Sequence, residues 1–546
     1  MTEWWRGGVI YQIYPRSFRD SDGDGIGDLR GISERLDHVA GLGVDGIWLC
    51  PFFKSPMKDF GYDVEDYRAV DPMFGTLEDF DHLLARAHGL GLRVIIDMVL
   101  SHTSDLHPWF LESRESRDSP RADWYVWADA RPDGNPPNNW LSVFGGSAWA
   151  WEPRRNQYYL HNFLTSQPDL NLHDGRVQDA VLDACRFWLD RGVDGFRLDT
   201  ANFYMHDPEL RDNPPRPSGS GALEGVASVN PYGMQRHVYD KSRPENLAFL
   251  RRLRALMDRY PGTMTVAEVH DDDSTMRSAE YVGSPDLLHT AYGFTLLTER
   301  FGAGVIRGAL ESFERQPGRG WPAWAFGNHD VIRPVTRWGK GEGGDGFAKL
   351  LVALLCSIRG TAFLFEGEEL GLPEADVPFD KIQDPYGLPF YPRYKGRDGC
   401  RTPMPWRHDH PAGGFTDGTA EPWLPVPEEH LHRAVSVQEG DPGSVLNFTR
   451  GFLRWRREHP ALVTGDIRFI DAPEPVIAFV RSGGGEEVLA AFNLGGEPAA
   501  LEAPGGVEAL SGHGLTGTLD GRNIRLPGHG AFLGRLSGTD NKTTGR

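Results

Sequence analysis

The sequence predicts an α/β fold: a (β/α)8 TIM barrel with an inserted subdomain after strand 3 and a C-terminal antiparallel β-sandwich domain. Three observations predict it. Short apolar runs alternate with amphipathic helical stretches, one long irregular segment interrupts this alternation, and the last part of the chain changes to short alternating strands. Strand–helix alternation is typical of a parallel sheet covered by helices, and eight parallel strands close into a barrel.

Eight short runs have the apolar composition of strands that are buried on both faces. They are residues 9–14, 45–49, 93–98, 195–198, 265–268, 287–290, 323–326 and 362–365. Helical sequence follows each of these runs. Apolar residues recur every three or four positions, as on one face of a helix, most clearly in residues 32–42, 77–90, 177–189, 245–260 and 452–459.

The 546 residues divide into three predicted domains. Residues 1–100 and 172–465 form the barrel, residues 101–171 the inserted subdomain, and residues 466–546 the C-terminal β domain. The third and fourth strands lie much further apart than the ~30 residues of one strand–helix unit, which is why an insertion is expected there. A second irregular stretch, rich in Pro and Gly, lengthens the loop after the fourth strand over residues 207–244.

Composition argues against several classes of protein. The formal net charge is −20, from 57 Lys and Arg against 77 Asp and Glu, and such a chain repels nucleic-acid phosphates and anionic lipid. The sequence contains neither an apolar run long enough to span a membrane nor the regions of a signal peptide. The four cysteines are too scattered for a disulfide framework. We expect a cytoplasmic monomer or homodimer that binds neither nucleic acid nor membrane.

Polar residues lie where several predicted barrel strands end, and barrel active sites are built at the carboxyl ends of the strands. Asp199, Glu268 and Asp330 follow or end three different strands, so their carboxylates are expected at one mouth. Each acid alone could cap a helix or form a salt bridge. Together they are typical of glycoside chemistry, in which one carboxylate attacks the sugar and a protonated acid assists the leaving oxygen.

Three basic or imidazole side chains add to this cluster. Arg197 lies two residues before Asp199 on the same strand face, where its positive charge would keep Asp199 ionised. His102 and His329 are suited to hydrogen-bonding sugar hydroxyls, although a lone histidine is usually structural. Their position at the predicted mouth is what favours a functional role.

A series of separate motifs resembles the α-amylase superfamily of glycoside hydrolases (family 13), and within it the α-glucosidase and oligo-1,6-glucosidase branch. The resemblance covers most of residues 4–465. In chain order the motifs are VIYQIYPRSF, DGDGIGDL, GVDGIWLCPFFKSP, FGYDVEDY, DMVLSHTS, QPDLN, GFRLDT, AEV, NHD, GEELGL and RTPMPW.

The resemblance implies roles for the acids. Asp199 looks like the nucleophile that forms a covalent β-glucosyl-enzyme, Glu268 resembles the general acid/base, and Asp330 resembles the stabiliser that grips the 2- and 3-hydroxyls. Anomeric configuration would be retained, which implies a separation of about 5–5.5 Å between the first two carboxyls. Arg197, His102 and His329 match the residues around the bound glucose.

The resemblance also implies a pocket closed at one end. Asp59, Tyr62 and Arg401 look like an end wall that grips the non-reducing terminal glucose and restricts action to chain ends. The substrate implied is a small α-glucoside.

A short acidic loop predicts a cation site. Asp20, Asp22, Asp24 and Asp28 alternate with glycines, a pattern that lets a loop fold its oxygens around a hard cation. The resemblance points to one structural Ca²⁺, or Mg²⁺, with the carbonyl of Ile26 as a further ligand. The alternative is an acidic turn that holds no ion.

Four positions depart from the family pattern or bear on specificity. Ser101 stands where Asn is usual, and Glu366 and Pro405 each stand where Gln is usual. Thr200 directly follows Asp199, where members that cut α-1,6 links tend to carry Val. Thr200 therefore favours α-1,4 bonds.

The sequence predicts a retaining, exo-acting α-glucosidase that hydrolyses, and also transfers, terminal α-glucose from oligosaccharides such as maltose. The alternatives within the family are a transglucosylase or isomerase that forms trehalose or isomaltulose, and an oligo-1,6-glucosidase. A non-catalytic relative is disfavoured because all three acids are present.

Overall fold

The computed structural model describes residues 3–217, 219, 223–318, 320–340 and 343–537. Eight parallel strands form a closed barrel in which each strand pairs with its neighbours in chain order and the first pairs with the last. The predicted fold class is thereby confirmed. The strands are β1 (Val9–Ile13), β2 (Gly46–Leu49), β3 (Arg93–Met98), β4 (Gly195–Leu198), β5 (Met264–Val269), β6 (Thr290–Gly293), β7 (Trp321–Ala325) and β8 (Thr361–Phe365).

Helices alternate with these strands. They are α1 (Leu29–Leu42), α2 (Leu77–Gly89), α3 (Gly175–Arg191), α4 (Asn246–Met257), α5 (Ser274–Val282), α6 (Ala303–Glu314), α7 (Gly344–Ser357) and α8 (Val445–Arg457). Their ends follow local chemistry: Thr76 and Asp79 form a reciprocal capping box at the start of α2. Shorter helices lie at Pro15–Phe18, Pro108–Glu115, Pro334–Gly339, Glu428–His432, Val435–Glu439 and Pro460–Thr464.

The sixth strand lies about three residues later than the sequence predicts. Leu287 and Leu288 are buried, but their amides donate to Ser284 and Tyr281, so they close the turn that follows α5. The strand proper begins at Thr290. The apolar run therefore predicted correctly that Leu287 and Leu288 are buried. It did not predict their conformation, which depends on hydrogen bonds to the end of α5.

The remaining sheets lie outside the barrel, and the first of them is an antiparallel pair of Phe53–Lys54 with Asp66–Val70. Between β3 and α3, three short strands, Trp127–Ala128, Trp149–Glu152 and Gln157–Leu160, form an antiparallel sheet. The C-terminal strands are β9 (Asp466–Ile470), β10 (Val476–Gly483), β11 (Glu486–Asn493), β12 (Ala499–Glu502), β13 (Val507–Ala509), β14 (Thr518–Asp520), β15 (Asn523–Leu526) and β16 (Ala531–Leu536). They form sheets ordered β9-β10-β11-β16-β13 and β12-β15-β14. The domain boundaries predicted from the sequence stay predictions.

Two further observations concern the whole described chain. Among the described residues, no helix is both long enough and apolar enough to cross a membrane. All four cysteines are buried thiols that form no disulfide, as their scattered positions indicated.

Candidate active site

The three predicted acids lie around one cavity at the carboxyl ends of the barrel strands. Asp199 directly follows β4, Glu268 lies near the end of β5, and Asp330 follows β7. The cavity is lined by Asp59, Tyr62, His102, Val143, Phe144, Phe163, Gln167, Asp199, Thr200, Gly225, Glu268, His270, Phe294, His329, Asp330, Tyr386 and Arg397. Of the predicted catalytic and substrate-binding residues, only Arg197 and Arg401 are not among these lining residues.

Arg197 lies beneath the cavity and joins its acids. The side chain is fully buried, and its Nη1 donates hydrogen bonds to Asp97 Oδ1 at 2.8 Å and to Asp199 Oδ1 at 2.6 Å. Its Nη2 lies 2.6 Å from Glu268 Oε1. Because one planar guanidinium contacts both carboxyls, it limits how far apart Asp199 and Glu268 lie. The separation of about 5–5.5 Å stays a prediction.

Burial and charge oppose each other at these carboxyls. Removal from water outweighs the opposing charge of Arg197, so the pKa of Asp199 is raised to about 7 and the pKa of Glu268 to about 7. Two neighbouring acids of this kind titrate as a pair and hold one proton near neutral pH. Arg197 lies 2.6 Å from an oxygen of each carboxyl, so it stabilises negative charge on either of them and the pair shares the proton.

Asp330 has the opposite electrostatic environment. Although burial opposes ionisation, His329, Arg397 and Arg401 together hold the pKa of Asp330 well below its usual range. Arg401 Nη2 donates to Asp330 Oδ1 at 2.9 Å, and Arg397 Nη1 lies 3.1 Å from the same oxygen. Asp330 is therefore a permanent anion at neutral pH, suited to accept hydrogen bonds from sugar hydroxyls.

His329 and Tyr62 form a stacked pair on the cavity floor. Their ring centroids are 5.3 Å apart with an interplanar angle of 1°, and the Tyr62 hydroxyl lies 2.6 Å from His329 Nε2. The same hydroxyl donates to Asp97 Oδ2 at 3.0 Å. Gln12 contacts the other ring nitrogen at 2.7 Å. This network fixes the plane of the imidazole.

The end of the cavity is closed by an ion pair that the sequence did not identify. Asp59 Oδ1 accepts from Arg397 Nη2 at 2.9 Å, and Arg397 is also held by Asp384 at 2.7 Å. Arg401, which the sequence places in the wall, instead contacts Asp330 and the carbonyl of His329. Arg397 precedes Arg401 by four residues in RDGCRTPM, which is the signal that could have indicated it.

His102 lines the wall beside Asp59. Burial lowers the pKa of His102 to about 4, so the imidazole is neutral at physiological pH. Its Nε2 lies 3.1 Å from the carbonyl of Tyr62 and 3.2 Å from Nε2 of Gln167, which also donates to Asp59 Oδ2 at 3.1 Å. Gln167 belongs to the QPDLN motif but was not predicted as a site residue.

An aromatic rim comes from three separated segments of the chain. Phe144 of the insertion stacks on Tyr386 at 5.0 Å, and Asn230 joins them by donating to the carbonyl of Val143 and to the hydroxyl of Tyr386. Arg397 lies over the ring of Phe144 at 5.1 Å. The rim narrows access to the acids, and its members were not predicted because aromatic residues also fill cores.

The predicted cation loop brings three of its four acids together. One carboxylate oxygen from each of Asp20, Asp22 and Asp28 lies within 4.8 Å of the others. Asp20 is buried and accepts the backbone N–H groups of Gly23 at 2.6 Å and Gly25 at 2.9 Å, so the loop is shaped by its own hydrogen bonds. Asp24 is not in this group and accepts instead from the N–H of Ile26. An all-oxygen donor set fits a hard divalent cation.

Glu366 supports the cavity floor from below, and we expect Glu366→Gln to stabilise the protein at alkaline pH. Glu366 Oε2 accepts the N–H of Tyr14, whose ring stacks on His329. Burial raises the pKa of Glu366 well above its usual value, so its folding penalty grows as the pH rises above about 4.5. The neutral amide removes that penalty, and we expect Tm to rise by about 1–2 °C at pH 8.

The pH dependence supplies the control for Glu366→Gln. At pH 4 the carboxyl is protonated in the folded chain and mostly protonated in the unfolded chain, so thermal melting there would show a much smaller difference. A variant that melts below the wild type at pH 8 would contradict the assignment.

The barrel and its buried carboxyl pair define a glycoside hydrolase. The chain belongs to the alpha-amylase family: residues 12–465 match the family described as "Alpha amylase, catalytic domain". The family resemblance of the sequence is thereby confirmed.

Three similar proteins cover almost the whole chain. A "Probable alpha-glucosidase" of Rhizobium meliloti (strain 1021) is 56% identical over 98% of this chain and 97% of its own. An "Oligo-1,6-glucosidase" of Heyndrickxia coagulans is 36% identical over 92% of this chain and 94% of its own. The crystal structure of the alpha-glucosyl transfer enzyme XgtA superposes with a TM-score of 0.96 at 56% identity, covering 98% of this chain and 100% of the other.

Proposed function

We propose that this protein is a retaining, exo-acting α-glucosidase that releases terminal non-reducing α-glucose from small α-glucosides such as maltose. The observation that carries the proposal is the buried Asp199–Glu268 pair joined by Arg197, in a cavity whose far end is closed by Asp59 and Arg397. The 56% identical "Probable alpha-glucosidase" supports the same activity.

The proposed chemistry takes two displacements. In the first, Glu268 gives its proton to the glycosidic oxygen as the Asp199 carboxylate attacks C1, and the bond from C1 to the leaving oxygen breaks. In the second, ionised Glu268 takes a proton from water, whose oxygen attacks C1 and frees Asp199. Two inversions retain the configuration at C1.

The other groups bind and orient the sugar. Asp330 accepts from hydroxyls at C2 and C3, and the Asp59–Arg397 pair meets the hydroxyls at the non-reducing end. Because Asp59 and Arg397 pair with each other inside the wall, a longer chain cannot continue past them.

A second candidate activity is glucosyl transfer, in which an acceptor hydroxyl replaces water in the second displacement. The 56% identical alpha-glucosyl transfer enzyme favours it, and the aromatic rim favours it physically by limiting the entry of water. Cleavage of α-1,6 bonds is the third candidate, supported by the oligo-1,6-glucosidase relative, although Thr200 favours α-1,4 bonds.

Product analysis by NMR tests these proposals together. The enzyme is incubated with maltose, isomaltose, sucrose and trehalose, with and without an alcohol acceptor. We expect α-glucose to appear first from maltose, and alkyl α-glucoside to form when the alcohol is present. Initial release of β-glucose would contradict retention of configuration. A preference for isomaltose over maltose would contradict the assignment of α-1,4 linkage. Formation of trehalose or a sucrose isomer would favour the isomerase alternative.

We further propose that the loop of Asp20, Asp22 and Asp28 holds one structural Ca²⁺, for which Mg²⁺ can substitute. Asp22 is the open ligand, since its side chain is exposed while Asp20 and Asp28 are buried. The cation would neutralise carboxylates that otherwise repel one another, and it takes no part in the chemistry. The predicted cytoplasmic location and oligomeric state stay predictions.

Chelation tests the cation site without an activity assay. Because a ligand that binds only the folded protein stabilises it by mass action, we expect EDTA to lower Tm and excess Ca²⁺ to restore it, a difference of about 2–3 kcal/mol at a hundred times the dissociation constant. Asp22→Asn should weaken the restoration, whereas Asp81→Asn, an exposed change in α2, should not. An unchanged Tm in EDTA would support the ion-free turn.

A further inference from the structure

Thr200 occupies an unusual position between the two carboxyls. Its backbone is left-handed, with φ 41° and ψ 47°, a conformation that β-branched residues rarely adopt. Its N–H donates to Glu268 Oε2 at 3.2 Å, and its hydroxyl lies 3.3 Å from Asp199 Oδ2. One residue thus contacts both members of the pair, through the backbone on one side and the side chain on the other.

Ser101 is the residue that holds the hydroxyl of Thr200. Its Oγ lies 3.1 Å from Thr200 Oγ1 and 2.9 Å from His102 Nδ1, and the side chain is almost fully buried. The backbone carbonyl of Ser101 accepts from the N–H of Leu170, which fixes the segment that carries it. Two positions that bear on the family pattern, Ser101 and Thr200, are therefore in direct contact.

The side chains of His102, Ser101 and Thr200 form a series of hydrogen bonds whose protons can all point toward Asp199. With the His102 proton on Nδ1, the imidazole donates to Ser101, Ser101 donates to Thr200, and Thr200 donates to Asp199. The amide of Gln167, which donates toward Nε2, favours that tautomer, whereas the carbonyl of Tyr62 favours the other. With the proton on Nε2, Ser101 would donate to His102 and Thr200 to Ser101, so donation by Thr200 to Asp199 requires the His102 proton on Nδ1.

We propose that Ser101 is a positioning residue that acts through the Thr200 hydroxyl to stabilise the ionised, attacking form of Asp199. A strained backbone persists only where its surroundings over-determine it, and Ser101 supplies the contact that fixes the side chain of Thr200. The inference rests on the proposed function, because it assigns Ser101 to the same two-step reaction.

The expected consequence concerns the first displacement. Without Ser101, the Thr200 hydroxyl turns away and Asp199 loses one donated hydrogen bond, so its ionised form is less favoured. We expect Ser101→Ala to lower kcat/KM about tenfold, as for loss of one hydrogen bond to a charged group, and to move the acid limb of the pH profile upward. The other charged groups that face Asp199 are Asp97, Arg197, Glu268 and Asp330.

A double-mutant cycle separates this role from simple packing. The kcat/KM for 4-nitrophenyl α-glucoside, which has no second sugar and so no linkage preference, is measured for the wild type, Ser101→Ala, Thr200→Val and the double variant. We expect Ser101→Ala to cost about twofold or less once Val has removed the hydroxyl. Thr200→Ser, which keeps the hydroxyl, is the matched control, and in that background Ser101→Ala should keep its tenfold effect.

Each outcome decides the matter. Independent losses that multiply in an active enzyme, or an acid limb that does not move, would overturn the role of Ser101 and leave the proposed function intact. An inactive wild type would overturn both. If melting shows that Ser101→Ala does not fold, Ser101→Cys has a similar shape and a weaker donor, and the same cycle with Cys must show a smaller coupling of the same sign.

Discussion

Replacement of Asp199 by Ala is expected to lower kcat/KM for maltose by about 10⁴-fold or more, because the covalent route then has no nucleophile. Asp199 is almost fully buried, and Arg197 holds its carboxylate by a hydrogen bond of 2.6 Å, so the wild-type nucleophile has a fixed position that Ala cannot supply. The measurement is steady-state hydrolysis, with thermal melting to show that the variant folds. Asp118→Ala, an exposed change beyond the helix Pro108–Glu115, is the matched control.

The same variant gives a stereochemical test. The space left by the carboxylate can admit azide, which would attack C1 of 4-nitrophenyl α-glucoside from the face that Asp199 occupied. We expect β-glucosyl azide as the product, detected by NMR. Undiminished turnover of maltose, or α-glucosyl azide as the product, would contradict the assignment of Asp199.

The sequence predicted most accurately the site residues that lie at the ends of barrel strands. Asp199 and Glu268 could be placed at one mouth because the end of a parallel strand is a local feature, and parallel strands present their ends to the same face. The sixth strand was misplaced by about three residues because apolarity reports burial and not hydrogen-bond partners.

The parts that could not be predicted are contacts between distant segments. Arg397 meets Asp59 across 338 residues of chain, and Phe144 meets Tyr386 only because the insertion folds over the barrel mouth. Neither pair has a local pattern. The contact of Ser101 with Thr200 has the same origin, since the two residues follow neighbouring strands β3 and β4.

Glu268→Gln is expected to lower kcat/KM for maltose by about 10³-fold while sparing substrates whose leaving group needs no proton. General acid catalysis contributes about 10²–10⁴-fold, and nitrophenolate leaves without it. We therefore expect a much smaller loss in kcat/KM for 4-nitrophenyl α-glucoside. Glu280→Gln, an exposed change in α5, is the matched control.

The pH profile identifies the proton that Glu268 supplies. Burial raises the pKa of Glu268 to about 7, so the acid is lost as the pH rises through that value and wild-type kcat/KM for maltose should fall on the alkaline side. Gln cannot ionise, so this limb should be absent from the residual maltose hydrolysis of Glu268→Gln. An alkaline limb that persists in the variant would assign it to another group.

The second displacement needs Glu268 as a base, so Glu268→Gln should slow this step as well. In Glu268→Gln the β-glucosyl-enzyme should accumulate on the aryl glucoside, giving a burst of nitrophenolate followed by slow turnover. Azide, which needs no base, should attack the intermediate from the opposite face, restore turnover and give α-glucosyl azide. Opposite anomers from Asp199→Ala and Glu268→Gln would place the two carboxyls on opposite faces of the sugar, whereas the same anomer from both would contradict the two-step mechanism.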